Sequence, residues 1–183
     1  MPRLPLPSDT DAFSDETRAA VRHIVETRGG SVPPPSGYLT YAGKAGGLLS
    51  DLVEHLRYHT SLSEAETELA ICVSARASNA DYIWNAHVRL GLSVGTREEA
   101  IDAVDKHAPL EGLTADEALI IRFGRELLES PAVNDETFEA VRQRYGEKGL
   151  MELVAVMSVY TMNANVLRTM DHQAGPDARR LSR

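Results

Sequence analysis

The chain has 183 residues, a formal net charge of −8 from 19 Lys and Arg against 27 Asp and Glu, and one cysteine. That length carries an ordinary hydrophobic core without covalent staples, and the acidic balance argues against non-specific nucleic-acid or anionic-membrane binding. A single cysteine, Cys72, excludes an internal disulfide framework, a zinc ribbon and a two-cysteine redox motif within one chain. The first thirteen residues, with Pro2, Pro5 and Pro7, read as an extended arm without an apolar targeting segment. Ser14-Asp15-Glu16 opens a helix through Val21 and Ile24 that stops at Gly29-Gly30. Ser31 to Gly37, with three successive prolines, is expected to be a non-helical loop. A second helix over Leu48–His59 puts Leu48, Leu49, Leu52, Val53 and Leu56 on one apolar stripe.

Ser63-x-x-Glu66 is a capping box, and the apolar run Leu69 to Val73 behind it predicts a central, mostly buried helix ending near Ser78-Asn79. Asp81–Leu92 follows as a helix, and Thr96-x-x-Glu99 is expected to cap a short one through Val104. Thr114-x-x-Glu117 starts another, which Pro131 ends. Asn134 caps Glu136–Tyr145, Gly146 breaks the run, and Glu147–Met170 forms a last long apolar helix. From Gln173 onwards the chain is expected to be a loose tail. Period-two alternation is missing, no apolar run approaches the roughly 18 residues of a membrane span, and aromatics are 5%. The expectation is one all-α domain over 1–183 with about seven to eight helices: an arm (1–13), a helical core (about 14–170) and a tail (173–183). The plain compartment reading is cytoplasmic. Glu68 to Ser74 and Glu152 to Ser158 echo each other, which fits a degenerate duplication of a helical unit and equally the similarity of two buried helices.

Chemistry concentrates between Leu62 and His87. Asp81 to His87 puts the only tryptophan, a tyrosine and a histidine on one helix, where Ala80, Ile83 and His87 share a face and Tyr82 and Ala86 the adjoining stripe. Glu68 lies on the preceding helix and faces His87 if the two pack as a hairpin. Residues of these types also serve as ordinary core or interface groups: a helical His satisfied in place, a Glu at a helix start, a Tyr and a Trp that pack. Two weaker features are His55-x-x-x-His59, whose one-turn spacing has no third ligand nearby, and Gly43, Gly46 and Gly47, whose spacing suits no phosphate loop. Neither a metal nor a cofactor is expected.

Leu62-Ser63-x-x-Glu66-x-Glu68-Leu69-Ala70-Ile71, followed by Asp81-Tyr82-x-Trp84-x-x-His87 and the Gly91-Leu92-Ser93 segment, resembles the carboxymuconolactone decarboxylase family with its alkylhydroperoxidase D-like proteins. The resemblance covers about Leu48 to Thr169 and includes Tyr160-Thr161-Met162 and Asn165-Val166-Leu167 in the closing helix. It implies an alkylhydroperoxidase D-like helical bundle. The family's peroxidase branch carries two cysteines where this chain has Ala80 and Ile83, so thiol peroxidase chemistry is disfavoured, and Cys72, inside an apolar run, reads as core. The cysteine-free branch implies cofactor-independent acid–base chemistry of lyase or isomerase type on a small carboxylated or lactone-like metabolite. In that reading His87 is the proton donor, Glu68 its orienting partner or an alternate base, and Tyr82 a donor to the lactone oxygen. Trp84 supplies a wall, Arg76 or Arg89 pairs the substrate carboxylate, and Ile83 stands where many relatives carry an acid, which makes the pocket more apolar. The family also implies a homo-oligomer (dimer, trimer or hexamer) with a pocket near a subunit interface. The competing expectation is a non-catalytic helical binding or assembly protein that kept the scaffold.

Overall fold

Eight α-helices and one 3-10 turn make up the computed structural model, which describes residues 1–183 and contains no strand. In chain order they are α1 (Asp15–Thr27), α2 (Pro34–Leu39), the 3-10 turn Thr40–Ala42, α3 (Ala45–Tyr58), α4 (Glu64–Ala77), α5 (Asp81–Ser93), α6 (Glu98–Asp105), α7 (Ala115–Glu129) and α8 (Asp135–Met170). Side-chain caps set several of these starts. Ser14 accepts from Thr17 N at α1, Asn134 from Thr137 N at α8, and both partners of the capping boxes Ser63/Glu66 and Thr114/Glu117 are in place at α4 and α7. Each satisfies amide groups that a helix start otherwise leaves without acceptors.

α4 is the spine. Leu69, Ala70, Ile71, Cys72 and Val73 are all buried, so this helix has no wet face, and it packs against α5, α7 and α8. Ile101, Ile120, Leu153 and Met157 close the core around it, each such side chain contributing about 1.5–3 kcal/mol by leaving water. α8 is long and apolar enough to cross a bilayer by length and composition, but 56% of its most apolar window is buried within the fold. At Gly146 its backbone turns to φ 68° and ψ 178°, a conformation glycine adopts without the Cβ penalty, and two helical runs meet there at an angle.

Four expectations need correction. The proline segment is not a loop: Pro34 and Pro35 occupy the first turn of α2, where no backbone donor is needed, and Gly37 N reaches Pro33 O to start the helix. Thr96 caps nothing. Its hydroxyl donates to Ala65 O and ties the turn after α5 to the start of α4, while Arg97 takes the N-cap position of α6. On α3 only three of the five stripe residues are buried: Leu49, Val53 and Leu56 point inward, Leu48 and Leu52 outward. The tail is not loose. Arg179 N donates to Asn85 Oδ1 and Leu181 N to Asp81 Oδ1, and Ser182 bonds Asp105 through both its amide and its hydroxyl at 2.7 Å, with Leu181 buried. The N-terminal arm is likewise held, by Arg3 N on Met170 O and by Tyr41 OH on Pro5 O.

Candidate functional site

α4 and α5 are joined by the short turn Ser78-Asn79-Ala80 and run antiparallel, so Glu68 faces His87 while Ala65 faces Thr96. Gly91, one turn past His87, lies against the Glu68 side chain, and a methyl there would sit 3.4 Å from Glu68 Cβ. That close crossing brings Glu68 Oε2 to 2.6 Å from His87 Nδ1. The other carboxylate oxygen accepts from Arg57 Nη2 of α3 at 2.8 Å, so a guanidinium, a carboxylate and an imidazole form one line across three helices. Burial opposes ionisation of Glu68. The hydrogen bonds and charges of His87 and Arg57 more than offset that, and hold the carboxyl below its ordinary value.

With Nδ1 engaged, His87 keeps Nε2 without a protein partner, and its ring forms a wall of a cavity of about 240 Å³. Helical spacing builds the rest: Ser50, Val53 and Arg57 from one face of α3, Ile83 and Leu90 from α5, Tyr160 and Asn163 from α8, closed by Pro33 to Ser36 of the α2 start. Tyr160 meets the His87 ring edge-on, with centroids 4.9 Å apart. Burial, against the opposing charge of Arg57, keeps its phenol above the ordinary value, and burial does the same for Tyr82, so both are protonated donors near neutrality. Arg28 also reaches the cavity, paired with Glu54.

Of the residues singled out in the sequence, Glu68, His87, Tyr82 and Ile83 are brought together here. Tyr82 stands between this cavity and a second, more polar one of about 400 Å³, and its ring packs edge-on against His172, 5.0 Å between centroids. Trp84 is not a wall. It is fully buried in the core, outside the cavity. Arg76 and Arg89 are not the cations of the site: Arg76 Nε donates to the Asp105 carbonyl, and Arg89 is exposed on α5 away from the cavity. Arg57 and Arg28 stand there instead. Arg57 escapes a reading along the chain because its partner Glu68 lies eleven residues on, across the α3–α4 turn. Asn163 carries the clearer signal, a polar residue on the inward face of an apolar helix, one turn from Tyr160.

Cys72 is fully buried behind Glu68, and burial pushes its thiol far above the ordinary range, where it is unreactive. The His55 and His59 rings lie 6.0 Å apart, tilted by 38°, and no group of three or more His, Cys, Asp or Glu side chains is placed to hold a metal ion.

The helix order, the α4–α5 hairpin and the packing of α8 along α4 define the architecture as an all-α, alkylhydroperoxidase D-like bundle. Among solved structures the chain is similar to the debrominase Bmp8, in a variant with a cysteine replaced by alanine and bound to 2,3,4-tribromopyrrole; the TM-score is 0.67 at 12% sequence identity, over 91% of this chain and 89% of that one. At that identity the likeness is one of fold. No family model matches the sequence, and no curated protein matches it either.

Proposed function

We propose that this chain is a cofactor-independent enzyme of lyase or isomerase type that uses His87 for proton transfer to a small carboxylated or lactone-like substrate, as a cysteine-free member of the carboxymuconolactone decarboxylase-like proteins. One observation carries the reading: an imidazole whose Nδ1 is held by a buried, Arg-paired carboxylate and whose Nε2 opens on a cavity. Glu68 fixes the ring through Nδ1, which leaves Nε2 as the nitrogen that can pass a proton to a molecule in the cavity. In a decarboxylation the carbon–carboxylate bond breaks, its electron pair spreads into the unsaturated lactone, and carbon dioxide leaves. His87 Nε2 delivers a proton to carbon, and water restores it. Arg57 orients the acid, Tyr82 donates to the ring oxygen, and Ile83 with the proline segment keeps the walls apolar, which favours loss of a charged group. The cavity lies below the usual size range of drug-like sites, in keeping with a small metabolite. The solved neighbour's name is that of a small-molecule-converting enzyme on the same fold, which supports an enzyme of some kind here. A thiol-dependent route is disfavoured, since no cysteine reaches the cavity.

The test is turnover on a panel of carboxylated lactones by wild type, His87→Ala and Glu68→Gln. His87→Ala should lose about 10²-fold or more in kcat with its helix content retained, and Glu68→Gln should lose activity through a misoriented ring. Undiminished turnover by His87→Ala overturns the assignment. A wild type that binds these compounds and converts none favours the non-catalytic binding protein.

A further inference from the structure

Six buried side-chain polar atoms have no partner in this protein, and three of them belong to the wall of the His87 cavity: Ser50 Oγ, Arg57 Nε and Asn163 Oδ1. Ser50 is 1% and Asn163 4% exposed, and neither side chain makes a hydrogen bond to any other protein group. Folded interiors keep few such atoms, because a hydroxyl or amide removed from water without a replacement partner is a standing cost. Here the orphans line a cavity, so what satisfies them comes from inside it. Proton transfer at His87 uses neither Ser50 nor Asn163.

Their placement specifies a ligand. Ser50 and Arg57 share one face of α3 seven residues apart, about 10 Å along the helix axis. Arg57 marks the His87 end, through Glu68. α8 runs the other way: Tyr160 packs on His87, Asn163 follows one turn later, and His172 then reaches Tyr38 of α2, which itself packs on the start of α3. Asn163 therefore lies on the Ser50 side of Tyr160. Arg57 gives the cavity a cation beside the proton-transfer group, and Ser50 with Asn163 adds a hydroxyl and a carboxamide farther along it; Arg28, which also lines the cavity, is already paired with Glu54. Val53 stands between Ser50 and Arg57 on α3, and Ile83 and Leu90 flank His87 along α5.

We propose that Ser50 and Asn163 form a specificity pocket that selects an unsaturated ring acid bearing a neutral polar substituent (a hydroxyl or N–H) on the side away from its carboxylate. The carboxylate pairs with Arg57, and the substituent donates to Asn163 Oδ1; a hydroxyl there also accepts from Ser50 Oγ. The ligand is thus fixed at both ends, and register along the cavity decides which ring carbon meets His87 Nε2. The proposal rests on the His87 cavity being the substrate site. It is separable from the catalytic role of His87, because it concerns binding.

Calorimetric titration of the full chain with 4-hydroxybenzoate, 4-methylbenzoate and benzoate tests it. The hydroxyl and methyl compounds match in shape and differ in hydrogen bonding. Wild type should bind 4-hydroxybenzoate at least about tenfold more tightly than 4-methylbenzoate, since a buried polar pair left unmet strongly rejects the apolar analogue. Asn163→Leu should reduce that ratio to near one. Ser50→Ala, which deletes an orphan hydroxyl, should reduce the ratio too while melting no lower than wild type without ligand, so it serves as the well-folded variant. Equal affinities of wild type for the hydroxyl and methyl compounds, or a preference that survives in both variants, overturns the pocket and leaves acid–base chemistry at His87 standing. Failure of wild type to bind any of the three acids overturns the pocket and the cavity's assignment as a carboxylate site together.

Discussion

Glu68 has two opposing influences on its charge, and the outcome sets how the site responds to acid. Burial favours the neutral acid, while His87 and Arg57 bond and attract the carboxylate and leave its pKa below the ordinary value of 4.5. A carboxyl whose folded pKa lies below its unfolded one stabilises the fold fully above the unfolded value, and that stabilisation disappears as pH falls through the lower, folded value. Replacing Glu68 by Gln leaves the Arg57 guanidinium buried without its anion, at a cost on the order of 3 kcal/mol near neutrality. Thermal melts of wild type and Glu68→Gln between pH 3 and 7 should keep a constant gap from pH 7 to 5, with convergence only below about pH 4. A gap that closes between pH 7 and 5 would show that the carboxylate is not held in this way. The Glu68–His87 contact was legible in the sequence because both residues lie on adjacent helices joined by a tight turn, where a hairpin is the short connection. Arg57, Ser50 and Asn163 were not legible as site residues. They come from α3 and α8, and which faces of those helices meet α5 is decided by tertiary packing that linear spacing does not encode.

At the scale of elements, capping chemistry read well and proline and stripe rules read poorly. Ser63/Glu66, Thr114/Glu117 and Asn134 act locally, within one turn, so their sequence signature is sufficient. The proline run hides α2 in the sequence, since prolines ordinarily bar a helix, whereas Pro34 and Pro35 fill the two positions where a missing N–H costs nothing. The helix matters to the site, since its first turn closes the cavity. It is seated on α3 at Gly46, where a methyl would lie 2.5 Å from Thr40 Cγ2, 2.6 Å from the Ser36 carbonyl oxygen and 2.7 Å from Thr40 N. Two of those neighbours are backbone and cannot turn aside as a flexible side chain can. Gly46→Ala should therefore destabilise by about 1–3 kcal/mol despite alanine's better helix propensity, and should weaken acid binding by shifting Pro33 to Ser36 away from His87. Urea unfolding and the benzoate titrations check the two halves. A variant as stable as wild type would show that α2 is free to move.

On the scale of the whole molecule, α3 carries two opposed faces with different tasks. Its inner face presents Ser50, Val53 and Arg57 to the cavity; its outer face leaves Leu48 61% and Leu52 47% exposed, one turn apart, with Tyr58 exposed near the C-terminal end. Single exposed apolar residues are common on soluble surfaces. An adjacent leucine pair beside the shallow groove that α3 forms with α1 is less so, and it accounts for two of the five stripe residues that the sequence expects to be buried. The arm and the tail, each hydrogen-bonded to the helical body, do not reach that face. The expected outcome is self-association through α3, which would also brace the helix that supplies both ends of the proposed pocket. Light scattering coupled to size exclusion should give wild type a mass that is a multiple of 20.0 kDa, and a Leu48→Glu/Leu52→Glu double variant should shift toward 20.0 kDa with unchanged helix content. Charge placed on both leucines costs little in a monomer, where they are already wet, and much at an apolar interface, where two carboxylates would be stripped of water. A wild type that scatters as 20.0 kDa at all concentrations, or a double variant that assembles as wild type does, would contradict an α3 interface.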